Sequence, residues 1–301
     1  MEKSKTEKIQ FKVCSLVISI FGIERNLKNL YQSLEGIDQR FYDIIVVHDL
    51  NDGETLISLS SMMENLGISD YKIVEGFFGC PGYTRNRGLE ECNSDWVLFW
   101  DCDDKLNHFE LMRILERFLL DKRFGINFII NDFNFVDLST SKKRRVHTKN
   151  FLTMAIYPGI WRIVIRRERI GNLQFSNLIM GEDQAFLAEL NISTNEVYFS
   201  NQIVYDYVIG NPNQITSKHS KNSTFIISIE RIINSLNRKN NDTLNIYLLS
   251  KILLSLMKRA KVIDKSHLFD IFLQLYRRIG FIGISKILRI QIQMVLIKGN
   301  L

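Results

Sequence analysis

From residue 12 to about residue 137, short runs of β-branched and aromatic residues alternate with segments whose apolar positions recur at helical spacing. The runs at 13–20, 42–47, 71–74, 96–100 and 127–133 predict five strands, and 26–34, 55–66, 83–91 and 109–119 predict the helices between them. Near-continuous apolar strands joined by helices are the pattern of strands covered on both faces. The expected fold class is therefore α/β, a doubly wound and mostly parallel sheet. Such sheets bind ligands outside the carboxyl ends of their strands, so the residues that follow each strand carry the first functional information.

Beyond residue 150 the pattern loosens. Tyr157-Pro158-Gly159-Ile160-Trp161 reads as an aromatic turn, 163–165 as a short apolar run, and Gly181-Glu182-Asp183 opens a helical segment at 184–190. Late strands are expected at 197–199 and 203–208. After Asn211-Pro212-Asn213 the character becomes helical, at 226–236, 244–257, 268–276 and 284–296, each mixing aliphatics with Lys and Arg. A boundary near Lys218 divides the chain into an α/β part, 1–217, and a basic helical part, 218–301.

Charge sharpens that division. The net charge of +6 conceals 15 Lys+Arg against 4 Asp+Glu in 218–301, about +11, which leaves about −5 on 1–217. An acidic body with a basic, amphipathic tail suggests contact with an anionic membrane surface through the C-terminal helices. The alternative is a tail whose apolar faces pack on the body while Lys and Arg face water. No recognised nucleic-acid-binding module is present, so nucleic acid is a poor partner. The polar segment 1–10 has no signal-peptide core behind it, and no run of about 18 uninterrupted apolar residues predicts a spanning helix. Cys14, Cys80, Cys92 and Cys102 form no CxxC pair and fit buried free thiols in a reducing cytosol. The expected location is cytoplasmic, peripheral at the inner face of the cell membrane.

Chemistry enters at the strand ends. The second strand is followed by His48-Asp49-Leu50-Asn51-Asp52-Gly53 and the fourth by Asp101-Cys102-Asp103-Asp104. No GxGxxG turn and no Walker loop is present, and a rim of carboxylates repels phosphates unless a divalent cation stands between them. Two aspartates spaced by one residue can face one cation, whereas Asp104 can also be read as a cap for the following helix. Glu182 and Asp183 are candidate acids of a catalytic pair, or simply first-turn acids favoured by the helix dipole.

Together these blocks resemble the family 2 glycosyltransferases, inverting enzymes of the GT-A fold common in bacterial polysaccharide synthesis. The segments that carry the resemblance are Val13 through Gly22, Asp43 through Gly53, Thr84-Arg-Asn-Arg-Gly88, Trp96 through Asp104 and Gly181-Glu-Asp183, in that order. It covers about residues 11–217, with a nucleotide-sugar half at about 11–137 and an acceptor half at about 138–217. It implies a nucleotide-sugar donor, usually with uracil as base, and a growing glycan or lipid-linked acceptor. Phe21, Gly22 and Glu24 would border the nucleoside, and Asp49 would hydrogen-bond the base. Arg85 would line the diphosphate, with Asp101 and Cys102 near the ribose or donor sugar. Asp103 would hold Mn²⁺ or Mg²⁺, with His219 as a further metal ligand or else a surface histidine. Asp183 would be the general base, and Glu182 would orient the acceptor or share that catalytic role. Trp161 would contact the acceptor or anchor the core. Two departures stand out: Phe21-Gly22 replaces the usual Tyr-Asn, and His48-Asp49-Leu50-Asn51 replaces Asp-Asp-Gly-Ser. A non-catalytic sugar-binding protein and a nucleotidyltransferase are the rival readings.

Overall fold

The computed structural model describes residues 12–20, 27–50, 53–120, 125–210, 222–236, 243–257 and 265–299. The first part runs β1 (Cys14–Ile20), α1 (Leu27–Leu34), β2 (Tyr42–Asp49), α2 (Gly53–Asn65), β3 (Tyr71–Gly76), α3 (Pro81–Glu90) and β4 (Trp96–Asp101). These strands pair parallel in the order β3-β2-β1-β4, as the alternation of strands and helices predicts. All eight residues of β2 are buried, and β1 and β4 are buried except at Ser19 and Asp101. Successive side chains point to opposite faces and so feed two cores. Leu16, Ile18, Ile44 and Val46 meet α1 and α2, whereas Val17, Ile45, Val47 and Phe99 join the other face. There α3 lies so close that a Cβ on Gly88 would collide with Val17 and Val47. Glycine at that position therefore sets how near α3 approaches the strands.

The second part departs from expectation. It comprises β5 (Lys105–Leu106), α4 (His108–Leu120), β6 (Phe128–Asp137), β7 (Lys143–Val146), α5 (Phe151–Ile156), β8 (Ile163–Arg166), α6 (Arg167–Ile170), α7 (Glu182–Glu189) and β9 (Val197–Ile209). The fifth expected strand, β6, is not beside β4. β8 is inserted between them, antiparallel to both, and Ile163, Val164 and Ile165 are fully buried there. The two late strands expected at 197–199 and 203–208 are one strand, β9, parallel to β6. A register shift opposite Asn131 and Asp132 absorbs Asn201 and Gln202, which hides the strand's continuity in its sequence pattern.

The helical tail comprises α8 (Asn222–Ser235), α9 (Thr243–Met257) and α10 (Lys265–Gly299). The expected boundary near Lys218 lies outside the described residues. Ile229, Leu248, Ile252 and Ile290 of the tail share one apolar cluster with Met154 of α5 and Phe186 of α7. Two helices were expected at 268–276 and 284–296; they are the two halves of α10, interrupted at Gly280, whose φ of +67° is not helical. The expectation that no helix could span a bilayer is revised. Phe269–Ile297 is long and apolar enough by length and composition, with a mean hydropathy of 1.5 over its best window, of which 22% is buried. The sequence conceals this because isolated charges such as Arg277, Lys286 and Arg289 interrupt the apolar run, although its best window still averages 1.5.

Candidate active site

One strand end and two helices meet at one guanidinium. Arg85, on α3, is 4% exposed, and its three ion-pair partners come from two distant parts of the chain. Its Nη1 lies 2.9 Å from Glu182 Oε1 and 3.1 Å from Asp183 Oδ1, and its Nη2 lies 3.0 Å from Asp101 Oδ1 at the end of β4. The sequence reading placed Arg85 in the segment lining the nucleotide and diphosphate; in the structure its donors face these carboxylates. Three carboxylates around one buried cation leave a local excess of negative charge.

Asp183 is held from both sides. Its Oδ2 accepts the backbone N–H of Ile160 at 3.0 Å while Oδ1 accepts from Arg85. Glu182 and Asp183 are the first residues of α7, whose N-cap is Gly181. Gly181 adopts φ +88°, and a Cβ there would press on Ser228 of α8, whose hydroxyl donates to the Gly181 carbonyl at 2.7 Å. Burial raises both acids. It acts with the Asp183 charge to push Glu182 up to about 7, against the pull of Arg85. Asp183 is also raised, by burial above all, with Arg85 and the Ile160 N–H opposing. Burial lowers Arg85, but Asp183, Asp101 and Glu182 together more than reverse this and hold it protonated. The first-turn reading of these acids and the catalytic reading are thus compatible: the helix terminus presents them and Arg85 gathers them.

The loop after β4 divides its carboxylates between chemistry and architecture. Asp103 is raised to about 6 by burial and then by the charge of Asp101, and no cation offsets the rise. Such a carboxylate fits an incoming divalent ion. No cluster of three or more His, Cys, Asp or Glu exists among the described residues, so remaining ligands would have to come from substrate and water, as Mg²⁺ and Mn²⁺ commonly take them. Asp104 does not cap α4; Asn107 accepts the N–H of Glu110 in that role. Asp104 is buried and accepts the N–H of Val208 at 2.7 Å, which ties the loop to β9. Cys102 is buried and its N–H reaches Ser19 O at 3.3 Å, so its side chain is part of the core. The four cysteines are buried and free, as expected.

Asp49 is engaged locally. Its oxygens accept from the N–H groups of Phe78 at 2.6 Å and Gly79 at 3.0 and 3.1 Å, and the Thr84 hydroxyl lies 3.2 Å away. The role expected at the base is thereby joined by a role in shaping the turn into α3. Trp161 is 7% exposed and stacks on Tyr205 and Tyr207, at centroid distances of 4.5 and 5.1 Å. Of the two expected roles, its burial fits the core anchor rather than direct acceptor contact. Phe21, Gly22, Glu24 and His219 lie outside the described residues. Sequence reasoning missed Tyr205, whose hydroxyl accepts the Asp101 N–H at 3.2 Å, and Ser228. No local motif marks either residue.

No family model matches the chain. It is 22% identical over 219 residues, 69% of each protein, to a GalNAc(5)-diNAcBac-PP-undecaprenol beta-1,3-glucosyltransferase of Campylobacter jejuni. It superimposes with a TM-score of 0.62 and 15% identity on S. aureus TarS 1-349 in complex with UDP-GlcNAc, covering 80% of this chain and 71% of that one. The mannosyltransferase PcManGT of Pyrobaculum calidifontis, in complex with GDP-Man and Mn²⁺, gives a TM-score of 0.51 at 11% identity, covering 95% and 86%. The chain therefore has the GT-A type of glycosyltransferase fold, with a C-terminal helical region.

Proposed function

We propose that the chain is an inverting glycosyltransferase that moves a sugar from a nucleotide-diphosphate donor, UDP-linked, to a glycan or lipid-linked acceptor in cell-surface polysaccharide synthesis. The observation that carries this reading is the convergence of Asp101, Glu182 and Asp183 on Arg85 at the carboxyl ends of the strands. It joins the donor-side loop after β4 to a candidate base at the start of α7. The likeness to a glucosyltransferase and to a protein holding UDP-GlcNAc supports the substrate class.

In this mechanism Asp183 accepts the proton of the acceptor hydroxyl as that oxygen attacks the anomeric carbon from the face opposite the leaving group. The bond from carbon to phosphate oxygen breaks, the nucleoside diphosphate departs with the electron pair, and the centre inverts. Burial makes Asp183 a stronger base than a solvated aspartate, while Arg85 and the Ile160 N–H fix its direction. Glu182, held by Arg85 beside Asp183, would orient the acceptor or share the role of base. Asp103 would hold a divalent ion, which when bound supplies positive charge to the leaving diphosphate.

The tail fits a peripheral place at the cytoplasmic face of a membrane. Phe281 and Ile282, beside the Gly280 break, are 76% and 85% exposed, and Leu288, Ile292 and Leu296 continue the exposed apolar surface. A backbone break is costly in hydrocarbon, so lying in the interface is favoured over crossing it. Incubation with a panel of nucleotide sugars, scored by release of nucleoside diphosphate, tests the central reading. Release from at least one UDP-sugar is expected, and absence of both binding and release across the panel would sink it.

A further inference from the structure

An aromatic surface begins beside the candidate base and ends at the donor-side loop. Trp161 follows Ile160, whose N–H holds Asp183, and its indole stacks on Tyr205, whose hydroxyl meets the backbone of Asp101. Around this buried pair stand three partly exposed rings. Tyr207 stacks on Trp161, Phe135 meets Tyr207 edge-on at 5.7 Å, and Tyr157 meets Phe135 edge-on at 5.1 Å. The strand period explains the grouping. Phe133 and Phe135 on β6, and Tyr205 and Tyr207 on β9, project to one face, and β6 and β9 pair Phe133 with Tyr205 and Phe135 with Tyr207. The Arg144 guanidinium lies 5.0 Å above Phe135 and places a cation at the rim.

We propose that Phe135, Tyr157 and Tyr207 form the platform on which the acceptor's sugar rings stack, with Trp161 and Tyr205 as its rigid backing. Aromatic rings present flat apolar faces that match the C–H faces of pyranoses, and tyrosine adds a polar tip. Packing against a buried stack fixes the rings in advance, so little side-chain freedom is lost when a glycan binds. Because the platform reaches Asp183 through Ile160, a hydroxyl of the stacked glycan would be delivered to the base. The acceptor class that follows is an oligosaccharide rather than a small isolated alcohol. This inference rests on the proposed transferase reading.

The test uses the full chain on an array of short synthetic oligosaccharides built from the hexoses, N-acetylhexosamines and uronic acids of bacterial envelopes. UDP-sugar affinity is measured separately by calorimetry. The wild type is expected to retain one or more glycans. Tyr157→Ala and Tyr207→Ala are each expected to weaken that retention about tenfold, on the scale of a lost ring contact. Tyr157→Phe and Phe135→Leu distinguish stacking from packing: the first keeps the ring and the glycan, the second keeps the apolar volume but loses the glycan. UDP-sugar affinity should be unchanged in all four. Wild-type binding of UDP-sugars with no glycan retained, or alanine variants that retain glycans like the wild type, overturns the platform while leaving the transferase reading intact. Failure to bind any nucleotide sugar overturns the transferase reading instead.

Discussion

Arg85 and Asp183, 98 positions apart in the chain, meet at 3.1 Å in the centre of the site. The contact joins α3, which packs on the parallel strands, to the first turn of α7. The same guanidinium reaches Asp101, so the donor side and the base side are linked through one side chain.

Removing this cation leaves three carboxylates facing one another in a buried space. Arg85→Met should destabilise the fold by about 3–5 kcal/mol, the usual cost of leaving buried charge uncompensated. Urea unfolding at neutral pH measures it. Arg85→Lys keeps the charge but not the forked geometry, and should recover part of the stability and little of the transfer rate. Equal stability of Arg85→Met and the wild type would contradict the central role given to this residue.

Asp183→Asn should retain nucleotide-sugar affinity and lose transfer by about 10²–10⁴-fold, the scale of general base catalysis. Parallel calorimetry and rate measurements separate the two. A matching loss of donor affinity would place Asp183 among the donor contacts.

Asp103→Asn should abolish stimulation by Mn²⁺ or Mg²⁺ and metal-dependent nucleotide binding, with the fold intact. An amide can still ligate but cannot neutralise the cation. The check is thermal stabilisation by UDP with and without Mn²⁺. Undiminished metal-dependent stabilisation in the variant would exclude Asp103 as the ligand.

Glu182 gives a pH dependence with a definite sign. Its carboxyl is raised from 4.5 to about 7 on folding, so between those values the folded protein binds more protons than the unfolded chain. Stability therefore falls as pH rises through this window. Glu182→Gln should flatten the decline in denaturation midpoints between about pH 4.5 and 7. A slope identical to the wild type's would refute the assignment.

Vesicles of anionic lipid should bind the chain, and rising salt should weaken that binding, since screening shortens electrostatic reach to about 8 Å at physiological ionic strength. Replacing Phe281 and Ile282 with Asp should release the protein without altering nucleotide-sugar affinity. Sedimentation that leaves the wild type in the supernatant at low salt would assign the α10 face another partner.

The parallel strands were legible because burial on both faces writes an apolar run directly into the sequence, as in β2. β8 was not, since Ile163, Val164 and Ile165 carry the same signal as any buried turn and nothing local states that they part β4 from β6. The site divides in the same way. Asp101 and Asp103 stood out by acidic spacing at an expected strand end and Glu182 and Asp183 through the family resemblance, and the fold brings Asp101, Glu182 and Asp183 together at Arg85. The partners of Arg85 lie 16, 97 and 98 residues away, and an arginine beside presumed phosphates reads as an anion ligand until the fold shows what surrounds it. The two readings of Trp161 stayed open in the sequence because an aromatic on a turn has the same local pattern whether it faces a sugar or Tyr205.

The hydroxyl of Ser228 grips the Gly181 carbonyl just ahead of the paired acids, and α8 packs along α7. The tail is thus a buttress for α7 as well as a candidate anchor. Grafting a foreign tail onto this body would change the footing on which Glu182 and Asp183 stand, so the tail and the α/β part are not interchangeable modules.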